Sequence, residues 1–157
     1  MLLQAAKLFS ENYGIWGPRG PRPGERVRFT RGRLREQCRP EGARNTYVRV
    51  KHNSEVVGHA LAGRWTAEDG RMVCWVTQLV VKEGYRERGL ATGLLRHLSE
   101  GSDDVYGIMS SHPATCLAAI SAFMGTLDKC PWKALGVEEL ANQLQSPPST
   151  SISNSFA

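Results

Sequence analysis

Hydrophobic positions recur at three- and four-residue spacing at the start of the chain, where Leu2, Leu3, Ala6, Phe9 and Tyr13 fall on one face of a helix. Gly14 stops that helix, and the four glycines and three prolines of residues 14–24 make the next stretch a loop. Thr30 is placed to cap a second short helix that carries Leu34 to Cys38, although Gly32 lowers its helical preference. Past Pro40 the pattern changes to that of strands. Tyr47, Val48 and Val50 lead to a polar turn at Asn53-Ser54, and Val56, Val57, Ala60 and Leu61 return from it, which predicts a hairpin. A second turn at Glu68-Asp69-Gly70 precedes residues 72–81, the most hydrophobic strand of the chain and the one expected at the sheet centre.

Residues 89–100 read as a helix with Leu90, Leu94, Leu95 and Leu98 on one face, followed by a short strand over 105–109 after the acidic turn Asp103-Asp104. A strand, helix, strand crossover of this kind gives two parallel strands. Pro113 suits the first turn of a further helix running to about Phe123. Residues 132–144 suit one more helix, and from Ser146 a Ser/Pro-rich tail has too little apolar material to order itself. The class is α+β: antiparallel strands, one parallel addition, and helices on the faces. At 157 residues the chain fits one compact domain. We place that domain at 1–127, with 128–157 as a divergent C-terminal segment.

The formal net charge is +5, and much of the excess is local, with Arg19, Arg22, Arg26, Arg28, Arg31, Arg33, Arg35 and Arg39 crowded into one segment. Phe29 is the only aromatic residue inside that segment, a poor platform for nucleic acid. It reads as a solvated face. The four cysteines, Cys38, Cys74, Cys116 and Cys130, form no CxxC pair and no zinc spacing, so no metal is expected. Cys74 and Cys116 read as small core residues, and Cys38 and Cys130 as exposed ones. The start lacks the form of a signal peptide and no run approaches membrane-spanning length, so the expected location is cytoplasmic or nuclear.

Between the central strand and its helix lies the turn Glu83-Gly84-Tyr85-Arg86-Glu87-Arg88-Gly89. A helix start carries unpaired N–H groups and partial positive charge, and small residues there let a phosphate approach. Leu90 and Ala91 stand where an ATP-type loop needs Lys and Ser or Thr, and no GxGxxG is present, which removes phosphoryl transfer and dinucleotides. What remains is the pattern Arg86-Glu87-Arg88-Gly89-Leu90-Ala91, set between a strand and an amphipathic helix. It resembles the acetyl-CoA signature of the GCN5-related N-acetyltransferases, Q or R, two residues, Gly, one residue, Gly or Ala. Residues 76–81 are then similar to the family's fourth strand and residues 90–98 to its third helix. Residues 110–119 resemble, more loosely, the helix start after the fifth strand in uncharacterised fungal members.

The resemblance implies an acyl-CoA N-acyltransferase-like fold, here without the family's first and last strands, and an enzyme that transfers acetyl from acetyl-CoA to an amine. It implies that Leu79, Val80 and Val81 meet pantetheine and that the amides of Arg86, Glu87, Arg88, Gly89, Leu90, Ala91 and Thr92 meet pyrophosphate. The acceptor would be a small-molecule or peptide amine, with neither nucleic acid nor membrane as partner. The resemblance would also make the arginine-rich segment of residues 19–39, instead of a solvated face, one wall of an acceptor site that recognises an acidic or carboxylate group. Candidates for proton transfer are Glu83, just after the strand, His112, whose unperturbed pKa of about 6.5 suits neutral pH, and Ser111. The bland reading of His112, next to Pro113, is a strand-end or helix-start residue with a satisfied ring. The family's acid is commonly a tyrosine in the helix after the fifth strand, where this chain has Phe123. Two other readings are a degenerate CoA-binding protein without efficient transfer, and a basic nucleic-acid- or partner-binding protein in which the glycine turn is structural.

Overall fold

The computed structural model describes residues 2–110 and 112–123. Helices α1 (Leu2–Asn12) and α2 (Arg31–Cys38) lead into strands β1 (Arg44–His52), β2 (Glu55–Thr66) and β3 (Met72–Val81). Helix α3 (Leu90–Leu98), strand β4 (Val105–Ile108) and helix α4 (Pro113–Phe123) follow. The strands form one sheet in the order β1-β2-β3-β4, antiparallel except for the parallel β3–β4 pair. The α+β class and the parallel crossover expected from the pattern are present.

Local chemistry accounts for the elements. Thr30 caps α2, its hydroxyl accepting from the Arg33 amide at 3.2 Å. Asn53 and Ser54 both take positive φ, 47° and 67°, as a tight two-residue hairpin turn requires. The loop expected over residues 14–24 is closed at its base: Ile15 pairs with Arg26, and the Val27 amide donates to the Gly14 carbonyl at 3.0 Å.

Among the described residues each sheet face carries two helices. Leu94, Leu95 and Leu98 of α3 and Ala118 and Phe123 of α4 pack on Ala60, Ala62, Cys74 and Val76. The small residues of β2 let α3 come close; a Cβ on Gly58 would meet Leu94 Cδ1 at 3.2 Å. On the opposite face Ala5, Ala6, Leu34 and Cys38 cover Leu61, while Leu8 and Phe9 cover Val56 and Val80. Gly107 of β4 lies under the Trp75 ring, which an added Cβ would meet at 2.1 Å.

Arg64 is buried on β2 and grips the α3–β4 connection. Its Nε and Nη2 donate to Asp103 Oδ1 and Oδ2 at 2.7 and 2.9 Å, its Nη1 to Thr46 Oγ1 at 3.0 Å, and its Nη2 also to the Leu98 carbonyl. Burial, the largest single influence, would raise the Asp103 carboxyl, but the Arg64 hydrogen bonds, the Glu100 amide and the Arg64 charge together hold the group below its ordinary value. Asp104 then sets the register of β4, accepting from the Met72 amide at 2.8 Å and donating to the Met72 carbonyl at 2.9 Å.

Two cysteine readings are corrected. Cys38 is buried rather than exposed, because α2 turns it onto the sheet, and burial pushes its thiol up to about 11. Cys116 is exposed on α4 rather than in the core, while Cys74 is a core residue as expected. Cys130 lies outside the described residues.

Candidate active site

Strands β3 and β4 pair only from Val73↔Val105 to Val76↔Ile108, with a last bond from the Met109 amide to the Val76 carbonyl at 3.0 Å. β3 continues to Val81 without β4 beside it. The parting coincides with an irregularity, since Val76 pairs with Ala62 but Gln78 with Leu61, leaving Thr77 as an extra residue. A bulge bends its strand and increases local twist, and beyond it Leu79, Val80 and Val81 have no β4 partner. The Thr77 hydroxyl fixes the bulge by donating to the Cys38 carbonyl of α2 at 2.9 Å.

Beyond Val81 a single 3-10 turn, Glu83–Tyr85, leads to α3. Glu87 takes φ 61° and Gly89 φ 73°, so the chain turns sharply into the helix. Gly89 is the N-cap and offers no side-chain cap; the first helical bond runs from the Gly93 amide to the Gly89 carbonyl at 2.9 Å. Leu90, Ala91 and Thr92 precede that bond, so their N–H groups are the ones a helix start leaves without intrahelical acceptors. Space is open over Gly84, Gly89 and Gly93, where an added Cβ would meet nothing within 4 Å.

The two arginines of the turn divide their work. Arg86 donates from Nε to the Val81 carbonyl at 3.3 Å and from Nη2 to the Asn12 carbonyl, while its own amide donates to the Glu83 carbonyl at 3.2 Å. Its side chain therefore braces the turn against α1, and within the expected cradle its amide is already engaged. Asn12 completes the brace by accepting the Glu83 amide on Oδ1 at 3.0 Å. Arg88 stands over the Tyr85 ring, 5.4 Å from its centroid, and the Tyr85 hydroxyl meets His52 Nδ1 at 2.9 Å.

The proton-transfer candidates Glu83 and His112 sit on different elements, the turn after β3 and the start of α4. Glu83 is exposed at the start of the turn. His112 is the cap of α4: its Nδ1 accepts the Ala114 amide at 3.2 Å and its carbonyl accepts those of Thr115 and Cys116. That is the satisfied-ring reading. Ser111 lies outside the described residues. Phe123 stacks on Tyr106 at 4.1 Å, and the Tyr106 hydroxyl is bonded to Ser99 Oγ at 2.8 Å. Among the described residues no cluster suited to a metal ion is present, and no helix is long and apolar enough to cross a membrane.

A polar group that the sequence reading did not single out lies on the α1/α2 face. His59, fully buried, meets Gln78 Oε1 through Nε2 at 2.7 Å, and the Tyr47 ring lies 5.7 Å from the His59 ring. The available signal was a histidine and a glutamine inside otherwise apolar strands. Burial lowers the His59 pKa, against the raising effect of Gln78.

Compared with known families, residues 6–110 match the acetyltransferase (GNAT) family. The chain belongs to that family. No curated protein matches it. Among solved structures it is similar to a protein of Agrobacterium tumefaciens str. C58 named provisionally as an acetyltransferase, with 17% identity, TM-score 0.52, and 77% of this chain and 84% of that one covered. It is also similar to the ribosomal-protein-alanine N-acetyltransferase of Brucella melitensis biovar Abortus 2308 (16% identity, TM-score 0.39, 44% and 52% covered). A third is an aminoglycoside acetyltransferase from an uncultured soil metagenomic sample (21% identity, TM-score 0.43, 58% and 65% covered). The chain thus spans about half to two thirds of the length of these last two proteins. An acyltransferase-like fold follows from the family, whose members generally use acetyl-CoA and act on amines.

Proposed function

We propose that this chain transfers the acetyl group of acetyl-CoA to an amine by direct attack in a ternary complex. The observation that carries the reading is the parting of β3 from β4 at Thr77, beside an open and uncapped helix start at Gly89. An extended, amide-bearing chain such as pantetheine matches the backbone edge of Leu79, Val80 and Val81, which β4 leaves uncovered. A pyrophosphate matches the amides that follow Arg86, from Glu87 through Thr92, at the positive end of α3. Arg88 adds a full charge beside them.

In this arrangement the chain's own contribution is mainly positioning, which alone supplies several kcal/mol towards a two-substrate reaction. An amide of the β3 edge stabilises the oxyanion as the amine attacks the thioester carbonyl. A thiolate departing to solvent needs little protonation, so the absence of a tyrosine at Phe123 is no obstacle. Glu83, exposed at the end of β3, stays available to the incoming amine, whereas His112 is occupied as a cap. The arginines of residues 19–39 lie in the loop and helix between α1 and β1, where they favour an acceptor bearing a carboxylate or another anionic group.

Thermal melts with acetyl-CoA test donor binding, since a ligand at about 100 times its dissociation constant stabilises the fold by roughly 2.7 kcal/mol. Release of free thiol against small amines, amino acids and peptides tests transfer. Stabilisation without thiol release would leave a CoA-binding protein; no stabilisation would sink both.

A further inference from the structure

Four buried polar atoms have no partner among the described residues: Asn45 Oδ1, whose amide nitrogen is bound at Pro40 and Ala43, and His59 Nδ1, Gln78 Nε2 and the Tyr47 hydroxyl. Register puts the residues of the last three on one face. Tyr47 pairs with Leu61 and Leu61 with Gln78, so Tyr47 and Gln78 flank Leu61 in one cross-strand row, and His59 stands two residues before Leu61 on the same face. On that face the apolar residues form two clusters, one around Leu61 and Leu34, the other around Val80 and Phe9, with Phe29 packed against both.

The chemistry of the three atoms is complementary. Gln78 Oε1 can only accept, so His59 Nε2 carries the proton and Nδ1 presents a lone pair. Gln78 Nε2 offers N–H donors, and a tyrosine hydroxyl both donates and accepts. An acceptor, a donor and a reversible hydroxyl are what a buried water needs, and buried polar groups are ordinarily satisfied in this way. Location supplies the second half of the argument. Gln78 is the residue immediately after the bulge, where β3 leaves β4, so the row runs inward from the proposed acetyl-transfer cleft.

We propose that this row holds water that takes the proton leaving the acceptor amine and passes it to His59 Nδ1. The inference rests on the acetyltransferase reading above. The amine lone pair forms the N–C bond to the thioester carbonyl carbon, and the C–S bond breaks with its electron pair on the thiolate. The proton lost by the nitrogen passes through the water to Nδ1 and afterwards returns to solvent. Gln78 acts as a positioning residue, holding the tautomer that leaves Nδ1 free.

The surroundings suit brief residence of that proton. β1 contributes Tyr47 and the register partner Arg49, β3 contributes Gln78 and Val80, and α1 contributes Ala5, Ala6, Leu8 and Phe9. α2 contributes Leu34 and the Cys38 thiol, which burial keeps protonated. None of these is a carboxylate, so an imidazolium formed here has no counter-charge, and burial keeps the resting ring neutral.

The test is steady-state thiol release by the full chain with acetyl-CoA and an amine panel of polyamine, amino acid and peptide, across pH 5–9. His59→Gln is expected to lower kcat by about 100-fold, to remove the acid limb of the pH profile and to leave acetyl-CoA affinity unchanged. Tyr47→Phe is expected to lower kcat by about tenfold. A His59→Gln protein that keeps kcat within threefold, or keeps the acid limb, overturns this inference while the transferase reading stands. A wild-type protein that binds acetyl-CoA yet releases no thiol with any amine overturns both. Should His59→Gln not fold, nitrogen NMR of the wild-type ring decides: a neutral Nε2–H tautomer with Nδ1 bonded to water supports the relay, and a proton resident on Nδ1 at neutral pH overturns it.

Discussion

Arg86 reaches back across 74 positions to Asn12, the last residue of α1, and donates to its carbonyl. The family signature residue is thus a brace between the first helix and the turn, and the same Asn12 holds the Glu83 amide. Removing the brace with Arg86→Ala is expected to weaken acetyl-CoA binding by roughly tenfold, the scale of a lost hydrogen bond to a charged group. Asn12→Ala is expected to act in the same direction with smaller effect. Titration calorimetry reads both, and undiminished affinity in both variants would refute the brace.

Gly89 combines φ 73° with open space above it. Gly89→Ala should cost about 1–2 kcal/mol of fold stability through the left-handed conformation alone. Arg88→Glu with Gly89→Glu should in addition abolish stabilisation by acetyl-CoA. If that double variant folds and still binds acetyl-CoA, the pyrophosphate assignment is wrong.

His112 separates a cap from a base. His112→Ala is expected to lose about 1 kcal/mol, whereas His112→Asn, an equally good cap, keeps both stability and turnover. Thermal melts and thiol release on the pair decide it. Loss of turnover in a stable Asn variant would return His112 to the chemistry.

The buried Arg64–Asp103 pair governs acid stability. The Asp103 pKa is lowered in the fold, so its contribution is complete above the ordinary value of 3.8 and is lost as pH falls through the lower folded value. Arg64→Met, which strands the carboxylate, is expected to cost about 3–5 kcal/mol at neutral pH in urea unfolding. A cost under 1 kcal/mol would show the pair to be dispensable.

His59 adds a milder pH dependence of the same sign at higher pH. Its folded pKa lies below the ordinary 6.5, so the unfolded chain binds the extra proton and stability falls as pH drops below that value. His59→Gln should flatten the stability profile in that window, as urea titrations at successive pH values would reveal.

The hairpin, the central strand and the strand-turn-helix around Gly89 were legible because each rests on short-range signals: a two-residue polar turn, a β-rich run, a helix start with glycine. The role of Arg86 was not, because its partner Asn12 lies at the far end of α1. Gln78 escaped for a different reason. Counting by twos from Cys74 and Val76 puts it on the α3/α4 face, but the bulge at Thr77 shifts the count, so that Leu79 and Val81 take that face and Gln78 turns to the other. One inserted residue, invisible to periodicity, thereby moved a polar side chain towards His59. The cysteine errors share this origin, since whether Cys38 or Cys116 is covered depends on how α2 and α4 seat on the sheet.

The close fit of Trp75 over Gly107 has an optical consequence. The indole lies across the last stretch in which β3 and β4 are paired, so any ligand that widens their separation changes the environment of that ring first. With Trp16, Trp65 and Trp132 replaced by phenylalanine, the remaining emission becomes an intrinsic gauge of the cleft, able to time donor entry without a label and in the absence of any acceptor.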